Sequence, residues 1–189
     1  CQFIENTGTH LFLTGKAGTG KTTFLRKLSA ERPKRMIVLA PTGIAAINAG
    51  GVTIHSFFQV PFAPYVPESS FSADGKATYR FRYGKEKINI IRSIDLLVID
   101  EISMVRADLL DSVDAVLRRF RDRNKPFGGV QLLMIGDLQQ LSPVVKDDEW
   151  QMLRKYYDTP YFFSSQALKQ TEYCTIELKK VYRQNDGTF

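Results

Sequence analysis

The sequence predicts an α/β fold in which helices flank a parallel β-sheet. Short apolar runs bounded by turn residues recur along the 189 residues, and such runs are typical of strands that are buried on both faces. Segments with apolar residues at helical spacing lie between these runs. Because strands that alternate with helices pair in parallel through right-handed crossovers, the pattern predicts one parallel sheet. A glycine-rich loop directly after the first run is typical of the same class of fold.

The predicted elements follow the chain in order. Strands are predicted at residues 11–13, 36–39, 96–99 and 130–135. Helices are predicted at residues 24–30, 44–48, 88–91 and 109–117. A shorter tail contains a helix at 150–157, an aromatic strand at 161–163 and a last strand near 174–178. The alternation of strands and helices is broken at residues 59–86.

The bulk composition is that of one α/β domain. With 43% hydrophobic residues, the chain has enough apolar mass for a core. No apolar run approaches the roughly 18 residues of a membrane span, and the N-terminus lacks the pattern of a secretory signal. The two cysteines, Cys1 and Cys174, are far apart and lack metal-ligand spacing. We therefore expect an intracellular protein with reduced thiols and no membrane partner.

Residues 15–23 have the pattern of a phosphate-binding loop. The predicted nucleotide-binding residues are Gly15, Ala17, Gly18, Thr19, Gly20, Lys21, Thr22 and Thr23. Glycines let backbone N–H groups converge on phosphate oxygens, Lys21 reaches the β- and γ-phosphates, and the Thr22 hydroxyl can ligate magnesium. A glycine-rich turn that binds nothing is the alternative. The strand before the loop and the helical pattern after it favour a site for a nucleoside triphosphate.

Residues 59–86 form an insertion in this pattern. They contain Pro61, Pro64 and Pro67 together with many aromatic side chains. Residues 78–83 alternate between polar and aromatic side chains, and an Asp-Gly turn signal precedes them. We predict a small β-hairpin that projects from the main sheet, with an irregular crossover loop as the alternative.

Two carboxylates, Asp100 and Glu101, follow the third predicted strand. Parallel sheets bind ligands at the carboxyl ends of their strands. Asp100 can hold magnesium against the Thr22 hydroxyl, while Glu101 can orient and deprotonate a water that attacks a phosphate. An Asp-Glu pair can also cap a helix. In combination with the phosphate loop, the pair favours nucleotide hydrolysis.

Residues 136–144 follow the next strand and contain the neighbouring amides Gln139 and Gln140. A neutral amide can bind the γ-phosphate or the attacking water and lose that partner after hydrolysis. The spacing alone leaves open which of the two amides faces the nucleotide.

The charge balance is basic, with a formal net charge of +6. This excess is compatible with a polyanionic partner. Five basic residues are concentrated at the end of the fourth predicted helix: Arg118, Arg119, Arg121, Arg123 and Lys125. Because cations also stabilise a helix C-terminus, the cluster predicts either a nucleic-acid contact or a solvated helix end.

In their order along the chain, these motifs resemble those of superfamily-one helicases, and most closely the petite-integration-frequency (PIF-type) DNA helicases. The matching segments are residues 15–23, 40–46, 53–58, 100–104, 136–144 and 182–184. Residues 109–113 and 126–132 resemble a signature stretch of that family. The resemblance implies a RecA-like P-loop lobe that uses ATP and Mg²⁺. It also implies that the insertion at 59–86 takes the place of a small wedge subdomain.

The resemblance assigns roles to individual residues. The catalytic residues that it implies are Lys21, Glu101, Gln140 and Arg183, and the implied metal ligands are Thr22 and Asp100. Gln140, rather than Gln139, falls on the glutamine that senses the γ-phosphate. Arg183 falls on an arginine that approaches the γ-phosphate, and such arginines supply about 10³ to 10⁵ in rate.

The resemblance also implies a track for single-stranded DNA. The implied DNA-binding residues are Pro41, Thr42, Gly43, Thr53, His55, Ser56 and Phe58. Thr42, His55 and Ser56 can donate to phosphates, and an exposed Phe58 can stack on a base. Phe58 can equally belong to the core, and His55 can be a hydrogen-bonded structural histidine.

The function that the resemblance implies is the ATPase lobe of a DNA helicase that moves 5′ to 3′ on single-stranded DNA and opens duplex junctions. A helicase of this type has two RecA-like lobes, and residues 1–189 resemble the first. We therefore expect a second lobe in the parent chain and expect unwinding to depend on it. A nucleotide-dependent switch that regulates a partner without moving along DNA is the alternative. The motifs define no oligomeric state.

Overall fold

The computed structural model describes residues 2–31, 34–66 and 83–181. Its strands form one sheet in which every neighbouring pair is parallel, so the predicted α/β fold is confirmed. The strands are β1 (His10–Gly15), β2 (Met36–Ala40), β3 (Val52–Thr53), β4 (Leu96–Ile99), β5 (Gln131–Gly136) and β6 (Tyr173–Leu178). The helices are α1 (Gln2–Asn6), α2 (Lys21–Glu31), α3 (Gly43–Ala49), α4 (Ile54–Phe58), α5 (Lys85–Ser93), α6 (Ala107–Phe120), α7 (Asp147–Leu153) and α8 (Gln166–Lys169). Short 3-10 helices occupy Ile102–Met104, Pro126–Gly129 and Phe162–Ser164.

The strand order brings three loops together at one edge of the sheet. The order is β3-β2-β4-β5-β1-β6. After β1 the chain crosses to β2 and β3 at the far side, and β4 and β5 then fill the space between β2 and β1. Because the carboxyl ends of parallel strands share one edge, the segments that follow β1, β4 and β5 meet there. These segments carry the predicted nucleotide motifs.

Side-chain alternation along the central strands divides the core into two layers. Leu97 and Ile99 of β4 belong to one cluster, together with Phe12 and the apolar face of α6. Leu96 and Val98 belong to the other cluster, which includes the buried side chains of α2. All side chains of β4 and β5 are buried, as expected for strands covered on both faces. The sheet is thus a rigid platform for the loops at its edge.

No helix in the described ranges is long and apolar enough to span a membrane. The longest of them, α6, has 14 residues.

The aromatic strand predicted at residues 161–163 is wrong. Tyr161 makes one isolated antiparallel bridge to Arg106, and the next residues form a 3-10 helix. Phe162 is 1% exposed, and its ring packs edge-to-face on Phe12 with a centroid distance of 5.3 Å. A single turn therefore buries the aromatic side chain without strand pairing. The helix predicted at 150–157 begins and ends earlier, as α7, and the last predicted strand is confirmed as β6.

A buried carboxylate joins α6 to this tail. Asp111 is 5% exposed. It accepts hydrogen bonds from Tyr157 Oη (2.8 Å), Ser165 Oγ (2.5 Å), Gln166 N (3.0 Å) and Ala167 N (3.0 Å). Burial raises the pKa of the Tyr157 hydroxyl, which keeps it protonated and able to donate. Because a buried carboxylate is stable only when it is hydrogen-bonded, this network fixes the tail on α6.

The insertion is described only at its two ends. The predicted hairpin at residues 78–83 lies outside the described residues, apart from Tyr83. At one end, Tyr65 N donates to Asp108 Oδ2 at 2.9 Å. At the other end, the Tyr83 hydroxyl donates to the carbonyl of Phe58, and α5 follows from Lys85. Both ends are therefore attached to the core.

Two arginines of the basic cluster hold the end of α6 in place. Arg118 donates to Asp114 at 2.8 Å and to Gln170 Oε1 at 3.0 Å. Arg121 donates to the carbonyl of Ile91 at 3.2 Å. These contacts favour a structural role for both side chains over a nucleic-acid contact.

Replacement of Arg118 by Ala is expected to lower the free energy of unfolding by about 1–3 kcal/mol, because the buried Asp114 loses a charged donor. DNA affinity is expected to match that of an Arg123→Ala variant, which removes the same charge from an exposed position. Urea denaturation and a DNA titration measure the two quantities. A selective loss of DNA affinity at unchanged stability would favour the nucleic-acid interpretation instead.

Candidate nucleotide site and nucleic-acid interface

The glycine-rich loop connects β1 directly to α2. Gly18 and Gly20 have φ angles of 77° and 94°, which residues other than glycine rarely adopt. The hydroxyl of the buried Thr19 donates to Lys16 O at 2.7 Å. Phe24 N donates to Gly20 O at 2.9 Å, so the helix begins at once after the loop. The first N–H groups of α2 therefore adjoin the loop, which suits a phosphate group.

The Lys21 ammonium lies over this loop. It donates to the carbonyl of Gly15 and, at 3.0 Å, to the carbonyl of Lys16. Because an ammonium on a flexible stem can exchange such partners, the charge is available to a bound triphosphate.

The carboxylate pair at the end of β4 has unusual backbone geometry. Glu101 has a φ angle of 51°, and its amide donates to Asp100 Oδ1 at 3.0 Å. Residues other than glycine rarely adopt this conformation, and such outliers are frequent at active sites. Burial raises the pKa of Asp100, and burial together with repulsion from Asp100 raises the pKa of Glu101, while the charge of Lys21 opposes both shifts. A raised pKa makes Glu101 a stronger base than an ordinary glutamate.

One open cleft of about 890 Å³ is lined by the phosphate loop, Glu101 and Gln140. After β5, the Asp137 carboxylate accepts from Gln139 N at 2.9 Å, and its carbonyl accepts from Gln140 N at 3.0 Å. This turn places Gln140 at the cleft. Of the two amides that the spacing left open, Gln140 is the one that lines it.

The oxygens near this cleft fit magnesium. Thr22 lines the cleft, and Asp100 lies close enough to Lys21 for their charges to interact. Within the described ranges, no group of three His, Cys, Asp or Glu side chains could hold a metal by itself. Magnesium commonly takes one or two protein oxygens and completes its shell with phosphate and water. A hydroxyl and a carboxylate are therefore a sufficient protein contribution if a nucleotide is bound.

Two threonines of the predicted DNA track cap helices. Thr42 Oγ1 accepts from Ala45 N at the start of α3, and Thr53 Oγ1 accepts from Ser56 N at the start of α4, both at 3.2 Å. Capping uses the hydroxyl as an acceptor, so its hydrogen can still be donated to a phosphate oxygen. Gly43 and Ser56 are exposed beside these caps. The two helix starts thus present polar groups to solvent at the carboxyl edge of the sheet.

Phe58 is a core residue, so the predicted stacking role is wrong. Its side chain is 0% exposed and packs edge-to-face on Phe57 with a centroid distance of 4.9 Å. Ile54, Phe57 and Phe58 have the i, i+3, i+4 spacing of one helix face, and all three are buried. The alternative interpretation, that Phe58 belongs to the core, is confirmed.

A second pocket, of about 250 Å³, lies at the same edge of the sheet. Its lining includes Pro41, Thr42 and His55 from the predicted track, and also Phe62. Phe62 is 81% exposed and stacks on His55, with 4.3 Å between ring centroids and 18° between ring planes. Burial, followed by the charge of Arg106, lowers the pKa of His55. Sequence reasoning missed Phe62, although an aromatic residue between two prolines was an available signal.

An ion network closes this pocket on one side. Arg106 donates to both Asp108 carboxylate oxygens at 2.8 Å and to Glu149 at 3.1 Å. Asp108 also accepts from Tyr65 N at 2.9 Å. Arg106 and Asp108 line the pocket. The network therefore connects α6, α7 and the start of the insertion beside the pocket.

An all-parallel sheet with a phosphate loop after β1 and an Asp-Glu pair after β4 defines the RecA-like class of P-loop proteins. The chain belongs to the PIF1-like helicase family, which matches residues 2–188. The resemblance stated from the sequence motifs is therefore confirmed.

Two curated relatives and one solved structure illustrate the similarity. The ATP-dependent DNA helicase PIF1 of Saccharomyces cerevisiae is 37% identical over 187 residues, which are 96% of this chain and 20% of the yeast protein. Human PIF1 is 40% identical over 191 residues, which are 96% of this chain and 26% of the human protein. The crystal structure of Pif1 helicase from Bacteroides in complex with ADP-AlF3 and ssDNA is 45% identical with a TM-score of 0.88, covering 98% of this chain and 42% of that one. The chain thus spans about a fifth to a quarter of the length of these curated relatives.

Proposed function

We propose that this chain is the ATP-binding and ATP-hydrolysing lobe of a DNA helicase that moves 5′ to 3′ on single-stranded DNA and opens duplex junctions. The observation that carries the proposal is the cleft in which Glu101 and Gln140 share a wall with the phosphate loop. The relative from Bacteroides, which binds ADP-AlF3 and ssDNA, supports it.

The chain's own residues supply the chemistry of hydrolysis. The loop N–H groups and Lys21 bind the triphosphate and stabilise charge that develops on it. Glu101 takes a proton from the water that attacks the γ-phosphate, and the Gln140 amide orients that water or the γ-phosphate. Thr22 and Asp100 would hold Mg²⁺, which would neutralise charge on the phosphates.

The segment after β5 couples this cleft to the DNA track. Gln140 lines the nucleotide cleft, and Val144, four residues later, lines the pocket that contains His55. Glu149 then binds Arg106. Loss of the γ-phosphate contact at Gln140 can therefore shift the wall of the DNA pocket through one short segment.

Arg183 and a second RecA-like lobe complete the motor in this proposal. Arg183 lies outside the described residues, and we assign it to the γ-phosphate from its motif alone. Since hydrolysis-driven closure of two lobes is the step that moves DNA, unwinding depends on the rest of the parent protein.

In the complete protein that contains this chain, single-stranded DNA is expected to raise the rate of ATP hydrolysis, because the DNA pocket and the nucleotide cleft share one segment. The measurement is phosphate release at increasing concentrations of oligothymidylate, with EDTA added as the control for magnesium. Strand separation by the 189-residue chain alone is not expected. A turnover rate that does not respond to DNA would favour a nucleotide-dependent switch and contradict the helicase proposal.

A further inference from the structure

We propose that Phe62, supported from behind by His55, forms a stacking site for one base of single-stranded DNA at the mouth of the 250 Å³ pocket. This inference rests on the proposed function and deepens it, because it assigns base contact to a residue outside the motifs that define the track.

The geometry of the ring pair suits a third ring. His55 covers one face of Phe62 at 4.3 Å with nearly parallel planes. With 81% of its surface exposed, Phe62 keeps its other face open. A nucleobase that stacks there extends the pair to three parallel rings, and because every base has such a face, the site accepts any sequence.

The charged groups beside the pocket are already paired. The Arg106 guanidinium forms one ion pair with Asp108 and another with Glu149. The backbone N–H of Tyr65 also donates to Asp108. Because its two carboxylate partners occupy the Arg106 guanidinium, we expect the ring of Phe62 and the proline side chains of the lining to contact a base, and the phosphate contacts to come from elsewhere in the track.

The position of the pocket connects it to the phosphate contacts of the track. Thr42 lines the pocket and holds a hydroxyl hydrogen that can be donated to the DNA backbone. A strand bound at Thr42 therefore brings a base within reach of Phe62.

The test compares two labelled oligonucleotides on the complete protein that contains this chain. One is oligothymidylate, and the other has the same phosphates with abasic sites in place of the bases. Phe62→Ala is expected to weaken binding of oligothymidylate by about fivefold to 150-fold, the range for loss of one base stack. Binding of the abasic oligonucleotide is expected to stay the same.

Two further variants make the result specific. Phe62→Trp keeps an aromatic face and is expected to retain affinity for oligothymidylate. Phe3→Ala is the matched control, because it removes an exposed phenylalanine from α1, away from the pocket, and is expected to leave that affinity unchanged. Equal losses on both oligonucleotides, or no loss on oligothymidylate, would overturn the stacking site but not the proposed function. Failure of the wild-type protein to bind oligothymidylate would overturn the proposed function itself, and the stacking site with it.

Discussion

Replacement of Glu101 by Gln is expected to lower ATP turnover of the complete protein by about 10²- to 10⁴-fold, the usual contribution of a general base. The amide keeps the shape of the side chain but cannot accept the proton of the attacking water. Nucleotide affinity is expected to change little, because the phosphate loop and Lys21 hold the triphosphate. Phosphate release measures turnover, and titration with a fluorescent ATP analogue measures affinity.

The matched control for this variant is Glu86→Gln, which makes the same change at an exposed position of α5. Lys21→Ala provides the complementary comparison, since loss of the ammonium is expected to impair nucleotide binding as well as turnover. Wild-type turnover in Glu101→Gln would contradict the assigned role of the base. A parallel loss of affinity and turnover would instead assign Glu101 to nucleotide binding.

Replacement of Asp111 by Ala is expected to lower the free energy of unfolding by about 4 kcal/mol or more, because four donors lose their acceptor in a buried site. The network joins Tyr157, Ser165 and the start of α8 to the middle of α6. Since domains are stable by about 5–15 kcal/mol, this change removes a large part of the stability of the domain. Urea denaturation followed by circular dichroism measures the loss.

Two variants calibrate the Asp111 result. Tyr157→Phe removes one of the four hydrogen bonds and is expected to cost about 1.5 kcal/mol. Asp158→Ala removes an exposed carboxylate that pairs with Lys169, and the melting temperature is expected to stay the same. An Asp111→Ala protein as stable as the wild type would show that solvent can satisfy the four donors.

The central sheet could be predicted from the sequence because its signals are local. The β4 and β5 residues form continuous apolar runs, and strands buried on both faces require such runs. The segment at 161–163 has an equally apolar pattern, yet it forms a turn. Hydrophobicity predicts that Phe162 is buried. Whether a strand or a 3-10 helix buries it depends on which partners lie within reach. Its partner Phe12 comes from a distant part of the chain, so the local sequence does not reveal this contact.

The nucleotide site could be predicted for a different reason. Its groups are fixed to the ends of strands, so spacing from an apolar run gives their position. Sequence spacing could not predict which of Gln139 and Gln140 faces the cleft. That depends on the turn after β5, which is held by hydrogen bonds to Asp137. The predicted DNA track shows the same limit, since the helix face that buries Phe58 is defined by packing in the core.

The sequence by itself determined the parallel sheet, the phosphate loop and the carboxylate pair, because periodicity and motif spacing are properties of neighbouring residues. The tertiary structure alone decided that Phe58 is buried and that Phe62 stacks on His55. It also decided that Asp111 joins α6 to the tail, and that Asp108 and Arg106 together connect the start of the insertion to α7. The physical reason is that burial and hydrogen bonding between distant segments depend on the strand order β3-β2-β4-β5-β1-β6, which local sequence patterns do not encode.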